Sequence, residues 1–284
     1  MIKVREKAQS FDPRQVMEGD TYEVFHYLDM QARHLDAHYH DFYEMFYFVD
    51  GEVDYWVDGS VYHLKSGDIL LINPLEMHKP IPRDDSTKYQ RIVLWVNKEY
   101  LLGIDNGVFK TCFDKSLPTY KKILRPDTAQ NSELISLFSN LIREYNGDNF
   151  ASDSCAFGVL LQILALVNRI ALNNNLSSES YRTSTLISEV LAYINEHYTE
   201  DLSLEGVAKH FFVSKYHLSH EFGKAVGTGM YRYLMIKRLN VAHDMLSNGT
   251  PPNQVATLCG FKDYTVFYKA FKGEYGISPK ECGK

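Results

Sequence analysis

Residues 255–279, VATLCGFKDYTVFYKAFKGEYGISP, carry the clearest structural signal in this chain of 284 residues. They predict a short helix, a turn, and a second helix that begins after Asp263 and ends at Gly276. Asp263 is a favourable helix N-cap, and Phe267 and Phe271 are spaced to face one core. Glycine is the residue that most readily takes the left-handed conformation at a helix C-terminus. The segment therefore predicts a helix-turn-helix.

The same pattern occurs a second time, earlier in the chain. Val207 and Ala208 lie 48 residues before Val255 and Ala256, whereas the later matching residues lie 49 residues before their counterparts. One residue is therefore inserted in the turn of the later copy. The matching residues are Val207, Ala208, Ser214, Leu218, Phe222 and Gly227. A single helical corner is weak evidence, because any helical bundle contains such corners. Two copies joined by one helix would place two recognition helices in successive major grooves, about 34 Å apart.

The segments around the two copies also have helical periodicity. Residues 229–249 predict one long helix that ends at Asn248-Gly249, and Pro251-Pro252 suits the start of the next helix. Residues 185–198 predict a further helix with an apolar face. The sequence thus predicts an all-helical domain over residues 185–284.

The charge of the chain is unevenly distributed. The formal net charge is −6, yet residues 206–284 hold 11 Lys and Arg against 5 Asp and Glu. Residues 185–205 hold 5 acidic and no basic residues, and residues 1–184 hold 19 basic against 26 acidic residues. A basic block in an acidic chain favours a nucleic-acid partner. Chance variation of surface charge is the alternative explanation of this asymmetry.

Residues 185–281 resemble the DNA-binding domain of the AraC/XylS family of bacterial transcription regulators. The resemblance rests on LSLEGVA at 202–208, SKYHLSHEFGKAVG at 214–227, YRYLMIKRLNVAHDML at 231–246, and the block GF-x-D-x-x-x-F-x-K-x-F-K from Gly260 to Lys272. It implies a transcription regulator that binds double-stranded DNA, with RNA polymerase as a possible further partner.

The resemblance also implies which residues contact DNA. Base contacts are implied for Tyr216, Ser219 and His220 in the first recognition helix and for Tyr264, Thr265, Tyr268 and Lys269 in the second. Phosphate contacts, which position rather than specify, are implied for Lys215, Lys224, Arg238 and Lys272. The family usually has arginine where this chain has His220 and Lys269, so the bidentate hydrogen bonds that arginine makes to guanine are lost. Tyr216 and Tyr264 could instead be solvated residues that contribute only packing.

The first third of the chain has the pattern of a β-barrel. From residue 21 to residue 96, short apolar runs alternate with turn signals such as Asp50-Gly51 and Asp58-Gly59. Residues 128–146 and 152–173 then predict two amphipathic helices. The predicted organisation is α+β and multidomain: a barrel with two following helices over residues 1–175, a polar linker over 176–184, and the helical domain over 185–284.

A set of polar residues is predicted to converge inside this barrel. In 38-HYHDFYEMFYFVDG-51, the side chains of His38, His40 and Glu44 share one side of a strand, and His78 follows a strand and a turn later. The spacing resembles the first cupin motif; the second, around Gly67, Pro74 and His78, is one residue short and lacks its inner glycine. The four residues could bind a divalent transition metal, line a metal-free pocket for a small molecule, or be purely structural.

Cupin-like sensors are common in AraC-type regulators, and most of them bind their effector without a metal. The family therefore implies a small-molecule effector, with a sugar-type molecule as the default. Tyr47, Trp56 and Trp95 could stack on a sugar ring, and Arg33 could pair with a polar group of the effector. The aromatic residues could equally fill the barrel.

The remaining features bear on location, assembly and catalysis. The four cysteines form no CxxC pair, and the longest apolar stretch, 157–170, looks too short to span a bilayer, so a cytoplasmic protein is expected. The helices at 128–173 resemble the family's dimerisation segment, which implies a homodimer. A metal-dependent cupin isomerase or dioxygenase is the alternative class. No other catalytic residues are recognisable, and a non-enzyme is predicted.

Overall fold

The computed structural model of the protein describes residues 14–30, 37–84, 88–173, 186–247 and 249–282. The chain divides into two compact units, Met1–Tyr181 and Arg182–Lys284. The predicted linker, residues 176–184, lies outside the described residues.

The described part of the first unit contains two main antiparallel sheets. Its strands are β1 Arg14–Gln15, β2 Tyr22–Asp29, β3 Tyr39–His40, β4 Phe42–Asp50, β5 Val53–Val57, β6 Ser60–His63, β7 Ile69–Ile72, β8 His78–Pro82, β9 Tyr89–Asn97 and β10 Ile123–Leu124. One sheet has the order β10-β7-β4-β9-β2 and the other the order β6-β5-β8; β1 and β3 form a short parallel pair. An antiparallel bridge between His38 and His78 links β8 to the segment before β3. These strands confirm the predicted β-rich domain.

Both faces of the larger sheet are buried, which explains its nearly continuous apolar runs. On β4, Tyr43 and Met45 belong to one hydrophobic cluster, and Phe42 and Phe46 belong to another. The first cluster also contains the helices that follow the sheet, and the second also contains β5. We call these the outer face and the inner face. Since side chains alternate along a strand, the residue number fixes which face a side chain joins.

Of the two predicted hairpin turns, Asp58-Gly59 is confirmed, whereas Asp50-Gly51 was wrong as a hairpin, because it joins β4 to β5 and these strands pair in different sheets. Asp58 and Gly59 have φ values of 42° and 91°, as a two-residue turn between β5 and β6 requires. Gly51, with φ of 135°, lies where a Cβ would come within 2.7 Å of the Lys88 carbonyl. Glycine is therefore needed at that turn for both backbone conformation and space.

Helices cover the outer face. They are α1 Lys98–Gly103, a 3₁₀ segment Ile104–Phe113, α2 Thr128–Tyr145 and α3 Ser152–Asn173. Asp127 and Gln130 form a capping box at the start of α2. The predicted helices at 128–146 and 152–173 are thus confirmed.

Helix α3 is longer than the apolar stretch in the sequence suggested. Its 22 residues are enough to cross a membrane by length and composition, so the expectation that this segment is too short was wrong. Half of its most apolar window is buried in the protein. Its buried Asn168 accepts a hydrogen bond from the Cys112 amide at 2.7 Å and donates one to the Phe109 carbonyl at 2.9 Å. These contacts identify α3 as a core helix of the barrel domain.

The described part of the second unit is helical. Its helices are α4 Leu186–His197, α5 Leu204–His210, α6 Lys215–Val226, α7 Met230–Ser247, α8 Pro252–Leu258, α9 Tyr264–Tyr275 and α10 Pro279–Cys282. The pairs α5–α6 and α8–α9 are the two predicted helix-turn-helix copies, joined by α7. Apolar residues of α7, α8 and α9 form one core around Phe267 and Phe271.

The predicted caps of both recognition helices are present. The Ser214 hydroxyl accepts from the His217 amide at 3.1 Å, and Asp263 accepts from the amides of Thr265 and Val266 at 2.6 and 3.0 Å. Two glycines end these helices in the left-handed conformation, Gly227 with φ of 79° and Gly276 with φ of 74°.

The hydrogen bonds of the two turns locate the inserted residue. The Val213 amide donates to the Ala208 carbonyl, and the Phe261 amide donates to the Ala256 carbonyl, so these pairs still differ by 48. The N-caps that follow differ by 49. Lys262 is therefore the residue inserted in the second copy.

Candidate functional site

The inner face of the barrel holds a connected group of polar side chains. Glu44 on β4 and Trp95 on β9 are partners in the strand register, so their side chains share this face. The Trp95 indole nitrogen donates to Glu44 Oε2 at 2.7 Å, and His40 Nε2 lies 3.1 Å from the same oxygen. All three side chains are buried.

His78 completes the group from the facing sheet. One ligand atom from each of His40, Glu44 and His78 lies within 4.8 Å of the other two. His38 lies beside them, its ring 4.3 Å from that of His78, but it is not part of this convergence. Of the four residues predicted as metal ligands, the structure thus brings three together and places the fourth next to them.

Backbone carbonyls fix the orientation of both imidazoles in the group. His40 Nδ1 lies 3.0 Å from the Phe42 carbonyl, and His78 Nδ1 lies 2.9 Å from the Glu76 carbonyl. Since a carbonyl only accepts, Nδ1 must carry a proton in each ring, and the Nε2 of a neutral ring then presents its lone pair. Burial lowers the pKa of His78 well below its ordinary value, and the neighbouring histidines lower it further. His78 is therefore a neutral imidazole at physiological pH.

Two of the predicted effector contacts are wrong. Tyr47 joins the outer face: its ring packs on Phe138 at 5.3 Å and its hydroxyl donates to Asn131 at 2.6 Å. Trp56 lies on the opposite face of β5 from Tyr55, which belongs to the inner cluster. Both residues are out of phase with the inner positions of their strands. The predicted contact from Arg33 lies outside the described residues.

The inner face also holds a cationic group that was not predicted. Arg91 shares a strand with Trp95, four residues away and in phase with it. Its guanidinium lies between the rings of Tyr27 and Tyr89, 4.7 and 4.2 Å from their centroids, and donates to Asp29 at 2.6 Å. The buried Tyr89 hydroxyl has no hydrogen-bond partner among the described residues. The signal was available, since strand alternation from Trp95 selects residues 91 and 89.

The first recognition helix, α6, presents a polar surface. Five of the residues predicted to contact DNA are exposed: Lys215, Tyr216, Ser219, His220 and Lys224. Tyr216 is 82% exposed, so it does not contribute to the core of the domain. His220 Nδ1 lies 3.1 Å from a carboxylate oxygen of Glu221, which leaves the other ring nitrogen for an external partner.

The predicted DNA-contacting residues of the second recognition helix, α9, are less exposed than those of α6. Its exposed residues among those predicted are Thr265, Lys269 and Lys272. Tyr264 and Tyr268 are half-buried, and the ring of Tyr264 packs edge-on against Phe267 at 5.8 Å. The alternative that Tyr264 contributes packing rather than a base contact is therefore supported in part.

Arg238, predicted to contact a phosphate, makes hydrogen bonds within its own domain. Its guanidinium donates to the Tyr198 carbonyl at 2.7 Å and to the Glu200 carbonyl at 2.6 Å, beyond the end of α4. It also lies 5.9 Å from the Phe261 ring centroid. These contacts join α4 to the second helix-turn-helix. Arg238 therefore has a structural role, because two of its five N–H donors are used within the domain.

Two family models match the chain: the AraC-like ligand binding domain over residues 22–164 and a helix-turn-helix domain over residues 207–284. The HTH-type transcriptional activator RhaS of Escherichia coli O139:H28 is 22% identical over 247 residues, covering 86% of this chain and 86% of that protein. RhaS of Salmonella schwarzengrund is 24% identical over 250 residues, again covering 86% of each. The C-terminal domain of AraT, a response regulator from Geobacillus stearothermophilus, is 30% identical, covers 36% of this chain and 86% of that one, and has a TM-score of 0.35.

Proposed function

This chain belongs to the AraC family of transcriptional regulators, and on that premise we propose that a small molecule bound inside the barrel changes how its two helix-turn-helix copies bind DNA. The family is one of regulators and not of enzymes. The proposed effector is a sugar or a related metabolite, and the protein acts in the cytoplasm, where it meets DNA.

The observation that carries the DNA-binding part is the exposure of both capped recognition helices. The N-terminal ends of such helices are the parts that contact base edges in the major groove. Lys215 and Tyr216 at the start of α6, and Thr265 at the start of α9, are exposed. Lys269, predicted to contact a base, and Lys272, predicted to contact a phosphate, add two exposed cations to the second surface.

The observation that carries the effector part is the mixed lining of the inner face. Trp95 and Phe42 pack ring to ring at 4.7 Å, and Phe25 packs on Trp95 at 4.8 Å. Glu44 and Arg91 add an acceptor and a donor among these rings. Aromatic faces with a few polar groups are the usual lining of a small-molecule site.

A DNA selection experiment tests the first part. Duplexes bound by the full chain are selected from a random pool, and their affinity is compared with that of unrelated duplexes over a range of salt concentrations. We expect Lys215→Ala and Lys272→Ala each to reduce the slope of log affinity against log salt by about 1, because each removes one phosphate contact. The exposed Lys65 on the barrel gives the matched control, Lys65→Ala, which should leave the slope unchanged.

The same selected duplex tests the effector part. A panel of sugars and related metabolites is screened for binding to the full chain, and DNA affinity is then measured with and without each binder. A ligand can shift the DNA affinity only if it binds the two states of the protein differently. A chain that forms no specific complex with any duplex, with or without these molecules, would contradict the proposed function.

We further propose that the protein is a homodimer and that it contacts RNA polymerase. The exposed apolar side chains Ile135 on α2 and Phe157 and Leu172 on α3 support a second copy packing on these helices. Analytical ultracentrifugation should show a dimer, and Ile135→Glu should shift the equilibrium towards monomer. A wild-type chain that remains monomeric at micromolar concentration would contradict the dimer.

A further inference from the structure

The convergence of His40, Glu44 and His78 leaves three electron-pair donors facing one point. Each Nδ1 donates to a backbone carbonyl, so the Nε2 atoms of the two rings are directed towards the group, with lone pairs when the rings are neutral. Glu44 adds a carboxylate oxygen. The Trp95 N–H that reaches the group already donates to that oxygen.

Within the group, the His78 ring has one nitrogen that no described residue satisfies. His78 Nε2 is buried and has no hydrogen-bond partner among the described residues. Leaving a buried polar atom without a partner destabilises the fold, so such atoms are rare unless a ligand or ion satisfies them. A cation at the centre of the three atoms would satisfy all of them at once.

The geometry fits a transition-metal ion in particular. Two ligands that each lie about 2.1 Å from a common metal at a right angle are about 3 Å apart. His40 Nε2 and Glu44 Oε2 are 3.1 Å apart. The Nδ1 hydrogen bonds of His40 and His78 match a metal site as well, because metal-binding histidines usually donate the N–H of their other nitrogen to a carbonyl or carboxylate. Imidazole nitrogens with a carboxylate suit iron, manganese, cobalt, nickel or zinc rather than calcium.

We propose that His40, Glu44 and His78 bind a divalent transition-metal ion inside the barrel. Three protein ligands leave coordination positions that water or an oxygen atom of the effector fills. The inference deepens the proposed function, on which it rests, because this is the barrel assigned to the effector. It names a metal, or a metal with a chelating small molecule, as the signal.

The test is direct metal binding by the full chain, purified without a histidine tag, treated with a chelator and dialysed. Titration calorimetry and visible absorption with Co²⁺ alone should show one ion per chain and a spectrum of a coordinated ion. Glu44→Gln and His78→Gln remove one ligand each at similar volume, and each should weaken Co²⁺ binding by about 100-fold or more. His63→Gln alters a histidine near the surface that pairs with Asp54, and it should bind like the wild type.

Thermal unfolding monitored by circular dichroism checks that each variant is folded. If His78→Gln does not fold, the isosteric Glu44→Gln decides, since its side-chain amide oxygen can still accept from Trp95. A wild-type chain that binds Co²⁺ no more tightly than the folded ligand variants would overturn the proposal. DNA is absent from the measurement, so a chain that binds Co²⁺ specifically but binds no DNA would contradict the proposed function and not the metal site.

Discussion

The two helix-turn-helix copies have the same backbone conformation at the turn, but different interactions stabilise it. In both, the first helix ends in the same pair of backbone hydrogen bonds, with the following residue in the left-handed conformation. That residue is Phe212 in the first copy, where φ is 57° and the side chain is 95% exposed. It is Gly260 in the second copy, where φ is 77° and an added Cβ would lie 2.4 Å from the Thr199 carbonyl.

This difference shows that one turn is held by local hydrogen bonds and the other also by packing. Around Gly260, the loop after α4 lies against the turn, and Arg238 binds two carbonyls of that loop. Around Phe212, the exposed side chain makes the turn tolerant of sequence. The second copy therefore depends on distant parts of the domain, while the first depends mainly on itself.

Substitution of the two turn residues should give the largest contrast. Gly260→Ala places a methyl group against the Thr199 backbone in a left-handed conformation, so we expect it to lower the free energy of unfolding by about 3 kcal/mol or more. Phe212→Ala keeps a non-glycine residue in an exposed left-handed position and should change it by about 0.5 kcal/mol or less. Urea denaturation followed by circular dichroism measures both values. Equal losses would show that packing against Thr199 does not distinguish the copies.

Removal of the Arg238 side chain should have an intermediate effect, confined to stability. Arg238→Ala loses two charge-assisted hydrogen bonds to carbonyls, which predicts a loss of about 1–2 kcal/mol. The salt dependence of DNA binding should stay unchanged at temperatures where the variant is folded. A slope reduced by about 1 with wild-type stability would instead restore Arg238 as a phosphate contact.

The N-caps should give the smallest effects and differ in their response to acid. Ser214→Ala should cost about 1 kcal/mol at any pH, because the hydroxyl does not titrate. Hydrogen bonds from the amides of Val266 and Thr265 lower the pKa of Asp263. Its stabilising contribution is therefore present above the ordinary aspartate pKa of about 4 and is lost as the pH falls through the lowered value.

Asp263→Ser checks this directly, because serine keeps a capping oxygen without a titrating group. The difference in unfolding free energy between wild type and Asp263→Ser should change as the pH is lowered from 6 to about 3. The corresponding difference for Ser214→Ala should remain constant. A constant difference for both variants would show that the Asp263 carboxylate contributes no more than a neutral cap.

Features encoded within a few residues could be predicted from the sequence. Ser214, Asp263 and the glycines at 227 and 276 act through neighbouring amides and their own backbone conformation, so their roles follow from local order. The fold of both domains followed from such signals. The approach of His40 to Glu44 also followed, because strand alternation placed both on one side.

Features that depend on distant residues could not be predicted in this way. Arg238 binds carbonyls 38 and 40 positions away, and no local pattern shows where a long side chain finds its acceptors.

Tyr47 was assigned to the effector site because it lies near Glu44 in the sequence. It is an odd number of residues from Glu44, however, so strand alternation places it on the outer face. Arg91 was missed although the same alternation selects it.

The central claim is that both recognition helices contact DNA, each in its own part of one site. Hydroxyl-radical footprinting of the full chain on a selected duplex tests it, with Lys215→Ala/Tyr216→Ala and Lys269→Ala/Lys272→Ala as paired double variants. The account predicts two protected regions whose centres are about 10 base pairs apart, with each double variant losing protection mainly in one of them. A single protected region, or loss of the same region in both variants, would contradict it.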